Sequence, residues 1–156
     1  MATDKAFIHL DKIKSSAHME HIAAPKAGLK AGQFVTLGAV SEDHDGEVLK
    51  YTNTTEKTKV DGLVAPVHLD YGYEDFDESV QVVKEGKIAR VLVIERGDIV
   101  SMHSEMLTGV KAGDKLAVGK TGFALQKTES DEEAVAIAIA ERYMPNIGDV
   151  IAVRFI

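Results

Sequence analysis

The sequence predicts an all-β fold, a small β-barrel or β-sandwich. Three observations carry this. Short apolar runs rich in Val and Ile recur along the chain. Glycine-containing turns separate them at roughly 8–12-residue spacing, the rhythm of all-β domains. An eleven-residue phrase that ends in a strand-like run is used twice, as GLKAGQFVTLG at 28–38 and GVKAGDKLAVG at 109–119.

The elements follow in chain order. Residues 1–27 carry Phe7, Ile8, Leu10 and Ile13, then a Met/His stretch. No period there separates an extended segment from a short helix. They read as an irregular N-terminal arm, with 28–156 as a single β-rich domain. Gln33–Leu37 and Glu47–Tyr51 read as strands, with a turn cluster at Ser41–Gly46 between them. Thr52–Asp61 is polar and reads as an exposed loop. Gly62–Leu69 reads as a strand, with Pro66 at an edge or bulge. Tyr71–Glu78 is acidic and turn-like. Ser79–Lys84 and Lys87–Ile94 flank Glu85-Gly86, the pattern of a hairpin. Ile99–Met102 is a further strand. Lys115–Val118 and Phe123–Lys127 form a hairpin around Gly119–Gly122. Ala134–Ala140 places β-branched residues at every second position; period two favours a strand, with a short helix as the competitor. Pro145–Asp149 turns the chain into a last strand, Val150–Phe155.

The repeated phrase has a physical reading. Gly32 and Gly113 stand immediately before a strand, where a turn calls for positive φ. Asp114 is suited to hold its turn by accepting backbone N–H groups, and Gln33 less so. Leu29 and Val110 are expected to pack beneath. Ile147-Gly-Asp-Val-Ile151 and Arg96-Gly-Asp-Ile-Val100 are shorter relatives. The phrase reads as architecture and contains no group that performs chemistry.

The order of these pieces (GLKAGQFVTLG, GLVAPV, VKEGKIARVLVIERGDIV, GVKAGDKLAVGKTGFALQ and IGDVIAVRFI) resembles small β-rich head decoration proteins of tailed bacteriophages. Together the pieces span roughly residues 28–156. The resemblance implies an auxiliary, capsid-cementing protein, often a homotrimer. Its partner would be the major capsid protein, on the exterior of the virion. It brings no catalytic, cofactor-binding or metal-binding residues. The polar 52–61 and acidic 70–78 segments lie outside the shared pattern. On this reading the arm orders on the shell, adding a strand to a capsid sheet edge. Deleting 1–27 is then expected to abolish capsid binding and leave the domain folded.

Composition narrows the alternatives. A chain of 156 residues suits one domain. Without cysteine there is no disulfide, thiolate nucleophile or Cys-rich zinc site. The net charge of −7 argues against non-specific nucleic-acid binding, which needs Lys and Arg on phosphates. No apolar run reaches membrane-spanning length. The first residues lack the apolar core of a signal peptide, so cytoplasmic synthesis is expected.

Several constellations invite chemistry. On a helix, His18 and His21 would share a face with Glu20 nearby; a third metal ligand would have to be His9 or His44. Two exposed histidines on a polar arm is the plainer reading. Arg96-Gly-Asp98 spells an adhesion tripeptide but sits where Gly-Asp makes a turn. Glu74-Asp75, Asp77-Glu78 and Ser41–Asp45 are acidic runs that read as solvated faces. Gly113–Thr121 has five residues between its glycines, where a phosphate loop needs four, and a β run follows, so nucleotide binding is rejected. No catalytic residue is expected. The rival readings are a carbohydrate or small-molecule binding module using Tyr51, Tyr71, Tyr73 and Asn53, a metal-dependent hydrolase built on His18 and His21, and a tail or neck component of the virion.

Overall fold

The computed structural model describes residues 4–42, 48–54, 60–65 and 77–156. These form thirteen strands: β1 (Ile8–Lys12), β2 (Met19–Ala23), β3 (Leu29–Lys30), β4 (Phe34–Val40), β5 (Leu49–Asn53), β6 (Gly62–Val64), β7 (Val82–Val83), β8 (Ile88–Val93), β9 (Ile99–His103), β10 (Lys115–Val118), β11 (Leu125–Lys127), β12 (Ala136–Met144) and β13 (Gly148–Phe155). Among the described residues, helix is confined to two 3-10 turns, Ser104–Met106 and Lys120–Gly122. The fold is all-β. Ala134–Ala140, ambiguous in sequence, leads into and forms the start of β12, the longest strand.

One sheet has the order β2-β8-β6-β4-β5 and the other β1-β9-β13-β12-β10-β11; β3 and β7 pair separately. The first order reappears inside the second. Placing β2 on β9, β4 on β10, β5 on β11, β6 on β12 and β8 on β13 reproduces every neighbour. The registers agree as well. Val35 faces Asn53 and Gly62, while Leu116 faces Lys127 and Ala136. Gly62 faces Val93, and Ala136 faces Phe155. Met19 faces Leu92, and Ile99 faces Arg154. Val35 and Leu116 are separated along the chain by the same shift as Gly32 and Gly113. The chain is thus two copies of one five-strand arrangement, and the repeated phrase opens the same strand in each.

The two copies pack face to back. Phe34, Leu63 and Leu92 lie on one face of the first sheet and join Met102, Leu116 and Val153 in a shared core. Phe34 meets Phe155 edge to face, ring centroids 6.2 Å apart. The opposite face of the first sheet carries Ile22, Val35, Val64 and Val91 and closes over a second core with Leu29 of β3 and Val83 of β7. Both faces of this sheet are therefore buried. That explains the all-apolar β6 and the Val91-Leu92-Val93 run of β8, where a half-exposed strand would alternate.

The strand-start turn occurs four times among the described residues with one hydrogen-bond plan, at Gly32, Gly86, Gly97 and Gly113; at Gly86 the cross-strand partner is Ala24. Gly32, Gly97 and Gly113 have φ of +100°, +96° and +96°, as the third position of a type II turn requires. The next residue's N–H returns to the carbonyl three positions back: Gln33 to Lys30, Asp98 to Glu95, Asp114 to Lys111. These three glycine N–H groups donate across to a neighbouring strand, at Val64, Phe155 and Ala138, whose own N–H donates back to the residue after the glycine. Two turns add a carboxylate cap. Asp98 Oδ2 accepts from Glu95 N–H at 3.0 Å, and Asp114 Oδ2 from Lys111 N–H at 2.8 Å. Ile147-Gly-Asp149 differs; it closes the β12–β13 hairpin, with Asn146 at φ +67°.

Alanine at 113 would meet open space, so only backbone conformation opposes it. Gly113→Ala is expected to destabilise the fold by about 1–2 kcal/mol, read from urea unfolding. The Asp114 carboxyl is held below its ordinary value, first by the Lys111 N–H and then by the positive charge of Lys127. This contribution is complete above the unfolded carboxylate range and is lost as pH falls through the lowered folded value. Urea midpoints from pH 6 to 2 should therefore fall less steeply for Asp114→Asn than for the parent chain; identical slopes would refute the cap's role.

Two expectations are corrected. The segment expected as an irregular N-terminal arm, residues 1–27, is built into the sheets over its described residues 4–27. β1 pairs with β9 and β2 with β8, and Ile22 is fully buried. A register shift between Leu10 and Lys12 breaks the alternation that would have revealed β1. The 79–84 and 87–94 runs do not form a hairpin. The turn exists, with Lys87 N–H donating to Lys84 O, but β7 pairs with β3, and β8 pairs with β2 and β6. Of the predicted Gly62–Leu69 strand, 62–64 are observed and 66–69 lie outside the described residues.

Candidate functional site

The histidine pair does not assemble as a metal site. Its segment is a strand, where positions three apart point to opposite faces. His18 contacts Glu20, His21 is exposed, and His44 lies outside the described residues. Among the described residues, no group of three or more His, Asp or Glu could hold a metal ion. His9 contributes elsewhere. Its Nδ1 is 2.6 Å from Asp11 Oδ1, while Ser101 Oγ donates to Asp11 Oδ2 at 2.6 Å. Those residue types occur in hydrolase triads, but here the carboxylate sits in the middle. The serine proton faces an acceptor that orients it, and no imidazole is placed to remove it. Arg142 Nη1, 3.8 Å from Asp11 Oδ2, reaches across the two intervening strands. Small residues beneath, Ser101 and Ala152, leave room for that brace.

The other singled-out residues are structural or lie outside the described set. Asp98 of the Arg-Gly-Asp sequence is buried and caps its own turn, so its carboxylate is not displayed. Asp77 caps Ser79; the Ser79 hydroxyl, followed by its N–H, holds the Asp77 carboxyl below its ordinary value. Glu78 is exposed. Glu74, Asp75, Tyr71, Tyr73 and residues 43–45 lie outside the described residues, while Ser41 and Glu42 close the β4 end. Tyr51 packs against the second core, and burial raises its pKa. Asn53 is exposed on β5. Tyr51 and Asn53 form no sugar platform.

The Gly119–Ala124 loop is also structural. Gln33 Nε2 donates to Thr121 O at 3.2 Å and Phe34 O at 3.1 Å, and Ala124 N–H donates to Gly32 O at 2.9 Å. Gln33 thus stitches the first copy of the phrase to the loop that follows the second. Thr121 and Ala124 are held at φ 60° and 58°, a conformation disfavoured for side chains with a Cβ.

The concavity with binding character is a groove of about 470 Å³ in the second copy. It lies between the turn after β9 and the far end of the β12–β13 hairpin. Leu107, Val110, Val150 and Ile151 lie buried beneath it, so the surface it presents is mainly polar. Glu141, Arg142 and Asp149 rim it, and Tyr143 stands 71% exposed at its edge. Buried His103 fixes one wall. Its Nδ1 accepts the Glu105 N–H at 3.1 Å, which leaves the hydrogen on Nε2 to donate to Ile147 O at 3.2 Å. A concavity with a charged, mainly polar lining and an exposed tyrosine at its edge suits binding of another molecule. Sequence reasoning missed the groove, because Val110 is far along the chain from Tyr143 and Val150, and the phrases that hold Val110 and Val150 read only as strand-start architecture. A smaller crevice of about 210 Å³ opens beside Phe34, Val60 and Ile156.

No protein-family model matches the chain, and no curated protein matches it. Among solved structures, the chain is similar to the N base of head fibre gp8.5 of bacteriophage phi29, with a TM-score of 0.46 and 17% identity over 89% of this chain and 95% of that one.

Proposed function

We propose that this protein is a structural component of a tailed-phage head that binds the outer surface of the assembled capsid and stabilises it, acting by association and without catalysis. The observation that carries the reading is the ordered set of strand-start turns that resembles decoration proteins. Each quoted piece contributes to a strand or strand-start turn in the fold. A ligand of this kind binds the assembled lattice and not free subunits, so it stabilises the shell by mass action. The partner is the major capsid protein, and the protein assembles as a homotrimer. β1 and β2 are paired into the protein's own sheets, so they do not act as a loose arm that orders only on the shell.

The test mixes purified protein with undecorated shells and with free capsid subunits, followed by sedimentation. Co-sedimentation with shells alone, and a raised shell melting temperature, are the expected results. Equal binding to free subunits, or none to shells, rejects the reading. Sedimentation equilibrium of the free protein reads the trimer directly.

A further inference from the structure

The duplication identifies what the groove lacks. In the first copy, Leu29–Lys30 of the phrase is strand β3 and is covered by β7: Leu29 faces Val83, Lys30 faces Val82, and Ala31 N–H donates to Gln81 O at 2.9 Å. β7 belongs to the long β6–β8 connection, residues 65–87. The equivalent β12–β13 connection is the three-residue turn 145–147, so the second copy has no counterpart of β7. The space beside the two phrases reflects this. A Cβ placed on Gly28 would lie 3.2 Å from Val82 Cγ1 and from Val83 O, whereas one on Gly109 meets nothing within 4 Å. Ala31 is fully buried, and its equivalent Ala112 is exposed. Among the described residues the Ala112 N–H has no hydrogen-bond partner. Gly109 and Val110 line the groove.

We infer that this groove is completed in trans by an extended segment of the capsid subunit, which takes the place of β7 against Val110–Ala112. The subunit as source rests on the head-binding reading above; the acceptor site rests on the duplication alone. Two features define the segment. Opposite Val110 it carries a β-branched apolar residue, as Val83 does opposite Leu29. Beside that it carries a Lys or Arg, because Glu141 and Asp149 rim the groove with no ion-pair partner among the described residues, while Arg142 is directed to Asp11. The chain's own β7 has this character, Val82-Val83-Lys84. Backbone pairing supplies affinity and the side-chain pockets supply selectivity.

Ala112→Pro isolates the acceptor. Position 112 is the second residue of the 111–114 turn, where proline is favoured, and the substitution removes an N–H that bonds nothing in the free protein. The probe is a synthetic peptide with the sequence of residues 79–84, titrated into isotope-labelled protein. Amide shifts at Val110, Lys111 and Ile151 are expected, at least ten-fold weaker for Ala112→Pro. No shifts at millimolar peptide would overturn the acceptor, whatever the shells do. With shells, Ala112→Pro and Tyr143→Ala should each weaken binding at least ten-fold. If the peptide binds but the parent chain ignores shells, the acceptor stands and the head reading fails. If Ala112→Pro binds shells like the parent, the capsid segment does not use this groove. If the free protein self-associates and Ala112→Pro abolishes that, the occupant is a second copy and the capsid assignment is overturned.

Discussion

A chain lacking residues 1–27 is expected to lose cooperative folding. The deletion removes β1 from the edge of β9 and β2 from the edge of β8. Ile8 leaves the shared core and Ile22 the second core, where both are at least 95% buried. Truncating one such isoleucine to alanine costs about 2–5 kcal/mol. Total stability of a domain is about 5–15 kcal/mol. Two buried isoleucines and two strand ladders together exceed what such a domain can lose. The edges of β8 and β9 would also be exposed to intermolecular pairing. Far-ultraviolet circular dichroism with urea titration decides the matter. A truncated chain that unfolds cooperatively near the parent midpoint would show that 1–27 is an appendage after all.

Gly122→Ala carries the second large effect. Gly122 sits at φ +80° in the loop after β10. A Cβ there would lie 2.1 Å from the backbone oxygen of Thr54 and 2.7 Å from Gln33 Nε2. The Thr54 oxygen belongs to the backbone and cannot rotate away, and Thr54 is itself buried. The substitution thus combines a left-handed backbone penalty of about 1–2 kcal/mol with overpacking of about 1–3 kcal/mol. A loss of about 2–5 kcal/mol is expected. Gly113→Ala is the natural control, because it shares the backbone conformation and has open space. Equal losses for the two would mean that the seam between the copies tolerates a shift, and the stitching role of Gln33 would fall with it.

The sequence carried the all-β class well, because period-two alternation and glycine turns are local properties. β10 and most of β13 could be read from them directly, whereas β12 was ambiguous between strand and helix and runs four residues past the predicted Ala140. Pairing could not. Ser79–Lys84 and Lys87–Ile94 have every local sign of a hairpin, but hairpin signals specify a turn and leave open which partner each strand takes. Val82–Val83 finds β3, because β2 and β6 occupy both edges of β8 and the β3–β7 pair closes over Leu29 in the second core. His18 and His21 were weighed as a helical pair, yet strand geometry turns them apart. The groove left no local trace; its one signal was comparative, two copies of a phrase with a long connection after one and a short turn after the other.

By itself the sequence determined where the strands that follow glycine turns begin. Glycine is the residue that takes positive φ at a strand-start turn without steric cost, and an aspartate after it caps the turn, so GLKAG, RGD and VKAGD each mark a start. Only the tertiary structure decided that β1 and β2 belong inside the sheets, that the two phrases open equivalent strands of a duplicated fold, and that one lies covered while the other lies open. The physical reason is that backbone conformation is set by neighbours in sequence, whereas strand pairing and burial are set by the long-range competition for apolar surface and hydrogen-bond partners.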